Sequence, residues 1–386
     1  MHDSHNAPPD REVGRVVGGD PGPTLIAVGG VHGNEPAGLE AGRRVLARIQ
    51  SAGLPLRGEL VVLGGNLGAL RRGARYQHED LNRRWTAVRV AALRALSSEA
   101  LEGEDHEQRG LLEAVESALG RARGPVHLAD LHTTSAEGIP FVLFGDTLAQ
   151  RQFVGGFPLP VIIGLEEQVD GTLAEYWTRR GCVTLTVEGG QHAAPSSVDN
   201  LEAALWLALA QADMVAPGAF PEVARAWRRL DALRGDLPRV MEVVSRRAIT
   251  PDDAFTMEPG FRNIHRARAG QRLARDRGGD ILAPGDGLVI LPLYQGLGSD
   301  GFFWGRAVSE ARMTTSRVLR RLGADRLLDL LPGIDRDPAA PGRFVLHARV
   351  AEIFPLEVFH LLGYRRVRKA RGVLTVERQP DPPRFV

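Results

Sequence analysis

Cysteine and lysine are almost missing from this 386-residue chain, and so is any surplus of charge. The single cysteine, Cys182, cannot close an intrachain disulfide, nor supply the paired thiolates of a zinc ribbon or an iron–sulfur site. Any bound metal must therefore use histidine and carboxylate ligands. The only lysine is Lys369, which rules out a Schiff-base lysine elsewhere in the chain. With 48 basic against 47 acidic side chains, nothing draws the whole molecule to nucleic acid or to an acidic membrane. No run of about 18 apolar residues is present, so no membrane-spanning helix is expected. The start, Met1 to Asp10, contains His2, Asp3 and His5 but no apolar stretch of the secretory kind, and a cytoplasmic location is expected.

What is there reads as α/β. At roughly 100 to 200 residues per domain, the length suits two domains. Thr24 to Val28 is an apolar, β-forming run that ends in Gly29 and Gly30, and apolar residues recur at helical spacing from Pro36 to Ile49. Leu60 to Leu63, Pro125 to Leu131, Val161 to Ile163 and Cys182 to Val187 are further strands. Residues 86–122 are helical in pattern with an acidic break at Ser97 to Gln108, and Asp199 to Met214 is a strong helix. Such alternation predicts a mixed sheet flanked by helices over residues 1–215. Residues 216–310 read as a linker helix and a small β domain, because short strands there are separated by Gly, Pro and Asp. Residues 311–386 return to helical spacing and end in a basic stretch, Arg365 to Arg371; they read as an α+β appendage for oligomerisation or substrate gating, or as a lineage addition.

The chemistry sits at strand exits. Gly29 to Glu35 (GGVHGNE) places His32 and Glu35 three residues apart on a glycine-rich turn, at the strand end where α/β sheets build their crevices. Imidazole and carboxylate suit Zn²⁺, which in catalytic sites commonly takes two His and one Glu. A lone His-x-x-Glu is more often a solvated loop, so a third ligand matters. His132 offers it, at the polar exit of the strand in ADLHTTS, with Asp130 placed to hold a ligand imidazole or to cap a turn. His127 faces the other side of that strand, while His78, His106 and His192 have no comparable setting.

Hydrolysis at a metal also needs a base, and Glu188, directly after the apolar CVTLTV strand, is the best candidate. The loop Asn66 to Trp85 carries Arg71, Arg72, Arg75, Arg83 and Arg84 with Asn82. A guanidinium there can stabilise an oxyanion, and an Asn-Arg pair can grip a carboxylate.

In order and spacing, GGVHGNE (29–35), RYQHEDLNRRW (75–85), DLHTTS (130–135) and VEGGQ (187–191) resemble the zinc carboxypeptidase superfamily, in particular its aspartoacylase and succinylglutamate desuccinylase branch. The resemblance covers about the first 190 residues and extends more loosely to Ile281–Tyr294. It implies one Zn²⁺ per subunit on His32, Glu35 and His132, with Glu188 as the base that later protonates the leaving amine. Arg75 is implied to polarise the scissile carbonyl, and Asn82 and Arg83 to hold a substrate carboxylate. Family members use a further arginine before the base-bearing strand, for which Arg179 or Arg180 stands here.

One departure bears on substrate. Desuccinylases of the family carry an arginine soon after the third ligand, whereas this chain has Thr133, Thr134, Ser135, Ala136 and Glu137; an acidic Glu137 speaks against a succinyl pocket. The expected function is thus deacylation of a small N-acyl amino acid, with a zinc carboxypeptidase acting on short peptides as the alternative. If the β domain overhangs the metal, a polypeptide cannot enter. A binding protein that retains the metal site is a further alternative, which the presence of base and oxyanion arginine disfavours. The basic tail reads as a solvated face, not a nucleic-acid site.

Overall fold

Eleven strands join in one mixed sheet, in a computed structural model that describes residues 10–338, 340, 342–347, 356–370 and 373–379. The first half runs β1 (Glu12–Val17), β2 (Asp20–Gly29), α1 (Ala37–Ala52), β3 (Arg57–Gly64), α2 (Leu67–Arg72), α3 (Ala87–Ala95), α4 (Glu104–Arg121) and β4 (Val126–Thr134). It continues through β5 (Phe141–Leu143), α5 (Leu148–Val154), β6 (Val161–Ile163), α6 (Leu173–Thr178), β7 (Val183–Gln191), α7 (Pro195–Gln211) and α8 (Pro221–Arg234). Strands β3, β2, β4 and β7 lie side by side and parallel, and β5 then runs against β7.

Side-chain alternation along these strands sorts the core into two layers. Leu25, Ala27, Leu60, Val62, Ala129, Leu131, Leu185 and Val187 pack on one face against α1 and α7. Their neighbours Ile26, Val28, Val61, Leu63, Val126 and Leu128 pack on the other, with Leu111 and Val115 of α4 and Tyr176 and Trp177 of α6. Each fully buried aliphatic side chain contributes roughly 1.5–3 kcal/mol. The second layer matters most here, because its parity continues past Leu128 into Asp130 and His132 and past Cys182 into Thr184, Thr186 and Glu188.

Two strands of this half have no counterpart among the apolar runs of the sequence. Edge strand β1 is partly exposed along its length, and β5 has only three residues, too few for a period to register. Beyond α8, β8 (Val240–Ala248), β9 (Thr256–Met257), β10 (His265–Ala267), β11 (Arg272–Asp276), β12 (Gly279–Leu282), β13 (Gly287–Ile290) and β14 (Asp300–Val308) follow. Of these, β8, β14, β13 and β10 carry the large sheet onward from β6, while β12, β11 and β9 form a separate three-stranded sheet.

After α9 (Glu310–Arg321), a four-stranded sheet is built from β15 (Ile334–Arg336), β16 (Arg343–His347), β17 (Arg365–Ala370) and β18 (Val373–Glu377), with α10 (Leu356–Leu361) before β17. It has its own core around Phe344, Phe359, Tyr364 and Val376. Buried Arg365 fastens it to the rest of the chain, 3.0 Å from both Asp146 and Glu242. The first residue of the basic tail is therefore an interior anchor, and Arg371 lies outside the described residues, as do residues 1–9. The architecture is the expected one: a mixed sheet between helices, followed by smaller sheets. No helix among the described residues is long and apolar enough to cross a membrane.

Candidate active site

The parallel strands deliver His32, Glu35, His132 and Glu188 to one end of the sheet. Gly30, at φ 70°, turns the chain out of β2. At Gly33 a Cβ would lie 2.1 Å from the Ala69 backbone, so only glycine lets this turn rest on α2. His132 and Glu188 are directly paired in the β4–β7 ladder, as are Asp130 and Thr186.

Glu35 sits between the two histidines. Its Oε1 is 2.9 Å from His32 Nδ1, and its Oε2 is 3.0 Å from His132 Nδ1 and accepts a bond from the Thr133 backbone N–H at 3.0 Å. The opposite ring nitrogens face carboxylates: His32 Nε2 is 3.0 Å from Asp80 Oδ1, and His132 Nε2 is 3.0 Å from Asp130 Oδ1. One atom from each of His32, Glu35 and His132 falls within 4.8 Å of the others, the one such cluster among the described residues. Nδ1 donors inward with carboxylates behind Nε2 is the arrangement of histidines that ligate a metal.

Charge supports the same conclusion. Glu35, Asp130 and Glu188 are buried and Asp80 nearly so, with Arg75 the guanidinium among them. Burial by itself would raise the Glu35 carboxyl, yet His32 and His132 outweigh it and hold it well below the usual range. The same contest leaves Asp80 low, through His32 and Arg75, and His132 high, through Asp130 and Glu35. For Glu188 compensation falls short: burial pushes it up to about 8, with help from Glu35 and Asp130 and against the pull of His132 and Arg75. A bound dication relieves this surplus of buried negative charge and draws Glu188 back down. Donor types, spacing and charge all fit a divalent ion.

The arginine-rich loop is held by α4. Glu104 accepts backbone N–H bonds from Gln77 at 2.6 Å and His78 at 3.0 Å, and Glu107 accepts those of Leu67 and Gly68 at the start of α2. The acidic break in the helical pattern is thus the clamp of this loop. It aims Arg75 inward, 3.1 Å from Asp80 and 3.5 Å from Glu35. Asn82 lines the cleft, accepts the Leu173 N–H at 2.8 Å and approaches His132 Nε2 to 3.5 Å. Arg83 also lines it, bound at 2.7 Å to Asp300 of β14, which in turn pairs with Arg246. Arg71 and Arg72 stay on the surface, and Arg84 is tied to Glu79 and Asp105.

Two expectations need correction. Arg179 ends α6 on the outside, 3.2 Å from Glu175 and 2.7 Å from Glu377, and it does not line the cleft; nor does Arg180, which lies over the Tyr176 ring. Helix α6 turns these side chains away from the sheet. Glu137 is an exposed residue facing Arg262, so its charge has no bearing on the pocket. Thr133, Thr134 and Ser135 line the cleft, and Arg75 and Arg83 are the arginines of the described lining.

His192, for which the sequence shows no comparable setting, belongs to the cleft: its Nδ1 is 2.8 Å from Thr133 Oγ1 and its Nε2 is 3.2 Å from Gln295 Oε1. Gln295 also accepts from Asn34 at 3.1 Å. It sits in the segment between β13 and β14, of which Leu291, Pro292 and Leu293 complete the lining. Tyr294 N–H bonds to Ser135 Oγ at 3.0 Å and pins this segment over the cleft. Asp80 lies within the 75–85 motif but meets His32 from 48 residues away, and His192 had no motif to mark it, its partners lying 59 and 103 residues away in sequence.

The succinylglutamate desuccinylase/aspartoacylase catalytic domain matches residues 21–210. Succinylglutamate desuccinylase of Burkholderia thailandensis is 31% identical over 266 residues, 66% of this chain and 70% of that protein. That of Burkholderia pseudomallei is 31% identical over 233 residues, 57% of this chain and 61% of the relative, so the chain spans about three fifths of its length. Among solved structures, the succinylglutamate desuccinylase/aspartoacylase from Rhodobacter sphaeroides has the same fold, with a TM-score of 0.55 at 17% identity over 77% of this chain and 88% of that one.

Proposed function

Because this chain belongs to the succinylglutamate desuccinylase/aspartoacylase family, we propose that it is a zinc-dependent deacylase that cleaves the amide bond of a small N-acyl amino acid or similar amide. The observation that carries the reading is the convergence of His32, Glu35 and His132 beside Glu188 in one roofed cleft. Two imidazoles and a carboxylate are the ligands of catalytic zinc, and Co²⁺ or Mn²⁺ can use the same set. When bound, such an ion supplies Lewis-acid chemistry, polarising a carbonyl and acidifying water.

The chain's own residues do the rest. Glu188 takes a proton from the attacking water and passes it to the leaving amine, so that amide C–N cleavage yields a free carboxylate and a free amine. Arg75, which lines the cleft 3.5 Å from Glu35, stabilises the developing oxyanion, a contribution typically of about 2.7–4 kcal/mol. Asp80 and Asp130 orient the two imidazoles. Arg83 holds the substrate carboxylate, releasing Asp300 to Arg246, and Asn82 steadies it. The segment 291–298 over the cleft favours a small amide over a polypeptide.

Metal-loaded enzyme offered N-acetyl and N-succinyl amino acids alongside short peptides, with free amine as readout, tests this. Turnover of the N-acyl amino acids is expected. Release of residues from peptides alone would make it a carboxypeptidase, and no turnover of either would remove the deacylase reading.

A further inference from the structure

Below Glu188 the cleft does not end. Thr186 and Thr184, on the same face of β7, lead from it into a second cavity that shares Leu143, Leu165, Val169 and Thr172 with the first. Its far wall is made by Glu166, Glu175 and Gln379. Gln379 belongs to the segment that follows β18, in the appendage that the family match leaves out. It is 8% exposed, and its Oε1 has no hydrogen-bond partner among the described residues. An acceptor so deeply buried is costly unless something fills it.

The surroundings hold this amide in place. A Cβ at residue 145 would lie 2.4 Å from Gln379 Oε1, so the glycine there leaves room for the side chain. Two residues earlier, Glu377 is bound to Arg179 of the α6 end at 2.7 Å and to Arg343 at 3.1 Å. The arginine first expected to touch substrate instead ties the appendage beside the cavity. Arg365, the cross-strand neighbour of Glu377 on β17, fixes the same sheet through Asp146 and Glu242.

The chemistry of the walls selects the guest. No arginine, lysine or histidine lines the second cavity among the described residues, whereas two carboxyl groups do. Glu175 is engaged by Arg179, and Glu166 lies 3.5 Å from Arg365. Burial pushes the Glu166 carboxyl up to about 7, outweighing the opposing pull of Arg365. A carboxylate entering here would find two carboxyl groups and no cationic side chain in the lining to receive it. A hydrogen-bond donor would find the Gln379 oxygen and the carboxyl oxygens waiting.

We infer that this second cavity is a substrate subsite, completed by Gln379 of the C-terminal appendage, that takes a neutral or cationic hydrogen-bond-donating end group such as a primary amide or an ammonium, and rejects a carboxylate. The inference rests on the deacylase reading and deepens it by naming one end of the substrate.

The test uses the full-length, metal-loaded enzyme and N-acetyl derivatives of glutamine, lysine, glutamate and norleucine, with N-succinamoyl against N-succinyl amino acids to probe the other half. In the wild type, the amide or ammonium member of one series is expected to have the lowest KM. Gln379→Leu should raise that KM about 5–10-fold, as for one lost hydrogen bond, without raising the KM of the carboxylate compound. Gly145→Ala, which displaces the Gln379 side chain, should do the same and covers the case in which the first variant fails to fold. A wild type that prefers the carboxylate, or variants that keep the wild-type ranking, would overturn the subsite. If the wild type hydrolyses nothing in the panel, the deacylase reading fails separately. Calorimetric titration of the same compounds then decides the subsite: weaker binding of the amide or ammonium compound to Gln379→Leu upholds it, and equal affinities or no binding overturn it.

Discussion

Replacing Asp80 by asparagine isolates the contribution of one carboxylate to the whole centre. Asp80 accepts the Asn82 N–H at 2.8 Å, faces His32 Nε2 at 3.0 Å and receives Arg75 at 3.1 Å. Asparagine caps a helical turn about as well as aspartate, so the local fold should survive. What disappears is the negative charge behind His32 and beside Arg75. Loss of such a partner typically weakens metal affinity about 10–100-fold, or about 1.4–2.7 kcal/mol. Competition against a chromophoric chelator should therefore show zinc held that much less tightly by Asp80→Asn. Asp80→Ala should add about 1 kcal/mol of lost stability from the missing cap. A zinc affinity for Asp80→Asn within twofold of wild type would refute the idea that Asp80 orients His32.

Glu188→Gln should bind zinc at full stoichiometry while kcat falls by about 10²–10⁴-fold, read by metal analysis and amine release; near-normal turnover would exclude Glu188 as the base. For Glu166 the sign follows from its folded pKa of about 7 against the ordinary carboxyl value of 4.5: its carboxyl favours the folded state when protonated, so stability is lost as pH rises through this window. Denaturant titrations of Glu166→Gln should lack that loss between about pH 4.5 and 7, and an unchanged pH profile would refute the burial argument. Cys182, buried with its thiol pushed up to about 12, should resist alkylating reagents until the chain unfolds, and rapid labelling of the native protein would count against its place in the core.

Much of this was legible in the sequence because the determinants are local. Strand exits rich in glycine announced His32 and Glu35, and an apolar run ending abruptly in Glu188 announced a charge at a buried edge. The parity that puts Asp130 and His132 on the same face as Leu128 follows from strand geometry alone. What stayed hidden depends on distant partners. Arg179 looked available because its position before the base-bearing strand says nothing of its direction, yet Glu175 one turn back and Glu377 from 198 residues away both claim it. Glu137 looked like a pocket residue by position, but the chain leaves the strand before reaching it. Asp300 was invisible for the same reason, since it meets Arg83 across 217 residues. The lining supplied by 291–298 is carried by backbone and short polar contacts, which have no periodicity to read.

The most direct test of the account is to titrate zinc into the metal-free protein and follow metal bound and amine released from an N-acyl amino acid in the same sample. The account predicts that both rise together and level off at one zinc per chain, and that His132→Ala gives neither. Full turnover without metal, or zinc bound equally well after loss of His132, would contradict it.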